Sequence, residues 1–95
     1  MIACYILWSQ KLDSYYIGIT HDGSTNRLQK HNSGFYHNSY TKITDDWELF
    51  IEIKCLSVGH AAKIEKHIKR MKSKQYIKNL KIYPELIEKI KNRFE

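Results

Sequence analysis

The sequence predicts a small α+β fold, a three-stranded antiparallel sheet flanked by helices. Two β-prone runs, residues 2–8 and 14–20, are joined by a short polar link. A third run, Trp47 to Leu56, alternates apolar and polar residues, as a half-buried strand does. After Ser57, apolar residues recur at helical spacing to the C-terminus. The resulting order is ββαβααα, and 95 residues hold a single domain, 1–95.

The first run, Ile-Ala-Cys-Tyr-Ile-Leu-Trp, is apolar on both faces, which fits a strand covered on both sides. So short a link to Ser-Tyr-Tyr-Ile-Gly-Ile-Thr predicts an antiparallel hairpin, with Trp8 paired to Asp13. Asp22 to Asn26 is a turn cluster that offers Asp22, Ser24 and Thr25 as N-caps for a short helix through about His31. Asn32-Ser33-Gly34 ends it, Gly34 suiting a left-handed position. Phe35 to Asp46 is polar and aperiodic, with Tyr36, His37, Asn38, Tyr40 and Thr41, and reads as a functional loop. In the third run Trp47, Leu49, Ile51, Ile53 and Cys55 share one side. Ser57 caps a helix whose apolar face is Ala61, Ile64, Ile68 and Met71. Ser73 starts another carrying Tyr76, Ile77 and Leu80, and Pro84 opens a last helix, about 83–93, with Leu86, Ile87 and Ile90.

Composition narrows the function. The uncharged stretch Met1–Gln10 is far below the ~20 apolar residues a bilayer needs, so no membrane span is expected. No basic segment precedes the first apolar run, so no signal peptide is expected either. Cys4 and Cys55 are too few and too far apart for a disulfide framework or a zinc site, and fit a reducing cytoplasmic compartment. The net charge of +6 is concentrated: residues 60–81 hold eight lysines and arginines against Glu65 alone. Such a footprint suits a polyanion, although a solvated lysine-rich helix face has the same composition.

Four features break the local rules. With Trp8 paired to Asp13, Tyr5 lies opposite Tyr16 on one face of the sheet, as a packing pair or as a pair of phenols at a site. Gly18, on the same side as Tyr16, either clears space for a ligand or marks a β-bulge. Arg27 and His31 stand four apart on one helix face, a fork for phosphate oxygens beside a group that moves protons. Glu65 falls on the apolar face of its helix, pointing inward rather than pairing with its basic neighbours. Burying a carboxylate is costly, and Mg²⁺ or Mn²⁺ would offset it, as would an internal salt bridge or a tyrosine hydrogen bond.

Taken in order, Ala3-Cys4-Tyr5, ten residues, Tyr16-Ile17-Gly18, Arg27 with His31, and Glu65 on a later helix resemble the GIY-YIG nuclease family. The likeness is to its small stand-alone bacterial members and to the nuclease domain of the excision-repair endonuclease. It extends through Arg27–Gly34, Tyr40-Thr41, Trp47 and Ser73–Ile77, over about residues 2–81. The glycine of the motif's first half is missing.

The resemblance implies a metal-dependent DNA endonuclease, monomeric or weakly associating, that cleaves duplex or branched DNA with Mg²⁺ or Mn²⁺. It implies that Tyr16 is the general base, that Tyr5 orients the water, and that Arg27 binds the scissile phosphate. His31 would assist proton transfer and Glu65 would hold the ion. Gly18 and Tyr40 would border the substrate, and Lys74 or Asn79 would complete the site. Lys66, Lys69, Lys72 and Lys74 would hold neighbouring phosphates without reading sequence. A DNA-binding module on the same fold and a lysine-rich interaction domain are the competing classes.

Overall fold

A computed structural model describes residues 1–33 and 43–95. The sequence-predicted loop of residues 35–46 lies mostly outside the described residues, as do Gly34 and Tyr40. The elements run β1 (Ala3–Ser9), β2 (Ser14–Thr20), α1 (Ser24–Asn32), β3 (Glu48–Lys54), α2 (Val58–Met71), α3 (Lys74–Ile82) and α4 (Pro84–Phe94). The α+β class and the order ββαβααα are as the sequence predicts. The sheet is antiparallel with order β2-β1-β3. The central position of β1 accounts for its apolarity on both faces.

Each face of β1 feeds its own core. Cys4 and Ile6 join Ile17, Ile51 and Ile53 beneath Ile64 and Ile68 of α2, Ile77 and Leu80 of α3, and Ile90 of α4. Tyr5 and Leu7 face the other way and pack with Trp47, Tyr16 and Leu28 of α1. The sheet is therefore a partition, with three helices behind it and α1 in front. Burial raises the pKa of the Cys4 thiol, so this cysteine is an inert core residue.

The hairpin register differs from expectation by two residues. Ser9 pairs with Ser14 and Trp8 with Tyr15, so Tyr5 faces Gly18 and Tyr16 faces Leu7. The cause is Asp13, which takes a left-handed conformation (φ 48°) and donates its N–H to the Gln10 carbonyl, closing a four-residue turn. A shift of two preserves the pleat, so both tyrosines still share a face. The bulge lies elsewhere, between Ile6 and Leu7 where they pair with β3. It breaks the alternation expected for the third strand: Ile51 and Ile53 enter the rear core, Trp47 enters the front one, and Leu49 is 39% exposed.

The later helices start where their caps require. Ser57 accepts from the His60 N–H, and Ser73 from the Tyr76 N–H. Pro84 occupies the first turn of α4. Met71 falls off the buried face and is 44% exposed. In α1 none of Asp22, Ser24 or Thr25 caps by its side chain; Gly23, at φ 102°, is the N-cap. Asp22 instead accepts from the Thr20 hydroxyl.

Candidate active site

Two clamps fix α1 against the front of the sheet. At its N-terminus the buried Ser24 donates its N–H to the Glu52 carboxylate of β3, 3.2 Å away, where a negative charge also meets the positive helix end. At its C-terminus the Asn32 amide grips Trp47 from both sides. Its Nδ2 donates to the Trp47 carbonyl (2.9 Å) and its Oδ1 accepts the Trp47 N–H (2.8 Å). These contacts set both the height and the rotation of the helix that bears Arg27 and His31. The sequence pattern shows neither clamp: Asn32 reads as a helix stop and Glu52 as the wet side of a strand.

Held there, His31 enters the tyrosine pair. The Tyr5 hydroxyl and His31 Nε2 are hydrogen bonded at 2.9 Å, both side chains almost wholly buried. The Tyr16 ring lies 4.8 Å from the His31 ring and 6.4 Å from the Tyr5 ring. Trp47 closes the group edge-on against Tyr16 at 6.3 Å. Tyr16 is half-buried, so it stands over an otherwise buried Tyr5–His31 pair. Burial, and then the Arg27 charge, lower the His31 pKa to about 4. At pH 7 the imidazole is neutral, with one donor and one acceptor nitrogen.

Gly18 makes room for Tyr5. A Cβ at this position would stand 2.6 Å from the Tyr5 hydroxyl oxygen, 2.7 Å from Cζ and 3.1 Å from the Tyr16 ring. The pairing of Tyr5 with Gly18 is regular, so the glycine is here for close approach and not for a bulge.

The remaining sequence-predicted residues lie elsewhere. Glu65 is on α2, behind the sheet, and its charge acts on Cys4 and not only on its own helix. It does not stand apart from its basic neighbours: its side chain is 24% exposed and forms an i,i+4 ion pair with Lys69 at 3.6 Å. The expectation that it does not pair with its basic neighbours is corrected accordingly, while the side chain remains largely buried. At 3.6 Å, with Lys69 55% exposed, the pair is weak and leaves the carboxylate reachable from solvent. Among the described residues no group of three or more histidines, cysteines or acids is placed to share a metal. A lone carboxylate fits a single ion that keeps most of its waters.

Lys74 reaches back to the hairpin turn, donating to the carbonyl and the carboxylate of Asp13. Asn79 accepts from the Gln75 amide. Both side chains are thus held in structural contacts. The basic residues of α2 also divide. At ~100° per residue, Lys69 stays with Glu65 on one flank, whereas Lys63, Lys66 and Arg70 turn toward α4. Lys72 caps the helix in a left-handed conformation at φ 48°.

The three-stranded sheet thus carries tyrosines from its first two strands on one face, with the helix that bears Arg27 and His31 locked beside them. The chain belongs to the GIY-YIG family: the model of the GIY-YIG catalytic domain matches residues 1–79. Members of this family are nucleases that act on DNA and generally use divalent metal ions. No curated protein and no solved structure matches the chain. Among the described residues no helix is long and apolar enough to cross a membrane. The match ends within α3 and does not reach α4.

Proposed function

We propose that the chain is a metal-dependent DNA endonuclease whose reacting side chain is Tyr16. The observation that carries this reading is the layering of the front cluster. Tyr5 and His31 are sealed beneath the surface and bonded to each other, which leaves Tyr16 as the phenol that meets solvent. Hydrolysis of a phosphodiester needs a base for the attacking water and positive charge around the phosphate. Tyr16, in its phenolate form, takes the water proton as the new phosphorus–oxygen bond forms, and the 3′-oxygen departs with the electron pair of the broken bond and takes a proton from solvent. A free phenol with pKa ≈ 10 is a poor base at pH 7, and a cationic neighbourhood corrects that. Arg27, close enough to depress His31, supplies part of this field and binds the phosphate oxygens.

His31 acts below the reacting layer. Being neutral, it keeps its hydrogen bond to Tyr5 without adding a charge, and its ring supports one side of Tyr16. Tyr5 and His31 are therefore positioning groups. From α2, which packs against the edge strand β2 that bears Tyr16, Glu65 would hold the divalent ion, which when bound would supply charge neutralisation at the phosphate. Exposed Lys69 and Lys72 extend the positive surface on that flank.

The test is single-turnover cleavage of a panel of labelled duplex and branched DNAs with Mg²⁺ or Mn²⁺. Tyr16→Phe keeps the ring and loses the hydroxyl, and should cost ~10²–10⁴ in rate with DNA binding retained. Tyr5→Phe should cost less in rate and more in stability, since it removes a buried hydrogen bond to His31, at about 0.5–1.5 kcal/mol. Cleavage by Tyr16→Phe at the parent rate would leave the binding-module reading in its place.

A further inference from the structure

The outer side of α2 and the C-terminal helix α4 form a basic cleft of about 160 Å³. Its walls are Lys63, Lys66 and Arg70 from α2 and Arg93 from α4; His67 and Phe94 complete it. A second hollow continues it along α4, sharing His67 and Arg93 and adding Tyr76 and Lys89. Among the described residues five cations line the two, and no acid does. The walls are firmly set. His60 Nδ1 accepts the Leu56 N–H, so its protonated Nε2 donates to the Lys91 carbonyl and pins α4 to the start of α2. His67 bonds to the Tyr76 hydroxyl at 2.9 Å, and its ring lies tilted against Phe94 at 5.2 Å. The Arg93 guanidinium lies 5.1 Å from the same Phe94 ring.

We propose that this cleft is a second phosphate-binding site for nucleic acid, gripping a stretch of backbone other than the one at Tyr16. It rests on the reading of the chain as a DNA-binding protein and assigns a function to α4, which the family match does not reach. Charge complementarity selects the occupant. Like charges converge here with no acid among the described lining residues, an arrangement that a row of phosphates neutralises and that releases condensed counter-ions on binding. Planar guanidinium forks suit phosphate oxygens, and the cleft is several times the ~30 Å³ share of one water. The cleft is on the α2 side of the sheet, whereas Tyr5, Tyr16 and His31 face α1. The backbone held here thus approaches from another side than the scissile phosphate.

His67 reports on occupancy. Its ring lines both hollows beside the arginines, so a backbone bound there changes its surroundings. The experiment uses the full chain in EDTA, where cleavage cannot occur. A 20-base-pair duplex should shift the His67 Hε1 and Phe94 ring resonances by NMR at one fixed pH. Fluorescence anisotropy should give a salt slope for the duplex that the double variant Arg70→Gln/Arg93→Gln lowers by about 1.8 units, at ~0.9 per lost contact. Arg70→Lys/Arg93→Lys should restore most of that slope.

An unchanged slope in the glutamine variant, or an equal loss in the lysine variant, would overturn the proposal. So would a His67 shift produced equally by inorganic phosphate, which would mean a small-anion site, or by polyglutamate, which would mean an acidic protein partner. Catalysis is read separately: Tyr16→Phe should leave the His67 response intact, so a failure of the nuclease assignment and a failure of this site are distinguishable.

Discussion

Replacing Gly18 by alanine adds a single methyl group at the most crowded point of the front cluster. The new carbon would stand 2.6 Å from the Tyr5 hydroxyl and 2.7 Å from Cζ, both inside any real contact distance. Tyr5 has no slack to give, being 2% exposed, bonded to His31 and wedged between Leu7 and Trp47. Opposing this, alanine is a better strand residue than glycine by a fraction of a kcal/mol. Overpacking of a well-filled core typically costs about 1–3 kcal/mol, so the clash wins. Gly18→Ala should therefore be destabilised by about 1–3 kcal/mol in urea unfolding, which for a domain of this size lowers the melting temperature by roughly 4–8 °C per kcal/mol. The cleavage rate should fall as well, because Tyr16 is the third neighbour of the new carbon, at 3.1 Å. A double-mutant cycle isolates the cause. In a Tyr5→Leu background, where hydroxyl and Cζ are gone, Gly18→Ala should cost far less, giving a coupling of about 1 kcal/mol or more. If Gly18→Ala is as stable as the parent, or costs the same in both backgrounds, the glycine is not there to admit Tyr5.

Protonation of His31 should drain stability in mild acid. Its folded pKa is near 4 against 6.5 for a free imidazole, so below pH 6.5 the unfolded chain binds the proton more readily. Stability should fall by about 2–3 kcal/mol between pH 6.5 and 4 and this contribution should then level off, as read by urea midpoints across pH. His67, also depressed, acts in the same direction, so the His31 share is the difference between the parent and His31→Gln. Asp46 acts at lower pH: hydrogen bonds from the Ser9 and Thr44 hydroxyls and the Lys11 N–H hold its carboxyl well below the usual range, and that stabilisation is lost only as pH falls through the acid carboxylate range. Glu65→Gln should abolish the heat of Mg²⁺ or Mn²⁺ binding in calorimetry and with it cleavage, while duplex binding in EDTA stays near the parent value. Stability should change by less than about 1 kcal/mol, since the pair lost with Lys69 is long, at 3.6 Å, and open to solvent on the lysine side; undiminished metal heat would remove Glu65 from the ion site.

Features whose physics is local were legible along the chain. Ser57 and Ser73 announce helix starts because a hydroxyl three residues before a free N–H is sufficient, and Pro84 does so by lacking an N–H to satisfy. The double-sided apolarity of residues 3–8 fits the central place of β1 in the sheet, and the period of two put Tyr5 and Tyr16 on one face for either of the two registers. Geometry between distant segments took shape only in the packed molecule. The left-handed Asp13 shifted the hairpin and exchanged the partner of Tyr5 from Tyr16 to Gly18, which turned an ambiguous glycine into a specific packing requirement. Likewise the bulge opposite Ile6 and Leu7 sent Trp47 and Ile51 into different cores, although their spacing gives them one side of a strand. Asn32 and Glu52 clamp α1 across 15 and 28 residues of chain, and no periodicity encodes a contact of that range. The basic segment divided for the same reason: composition counts charges along the chain, but the packing of α4 against α2 sets which of them converge.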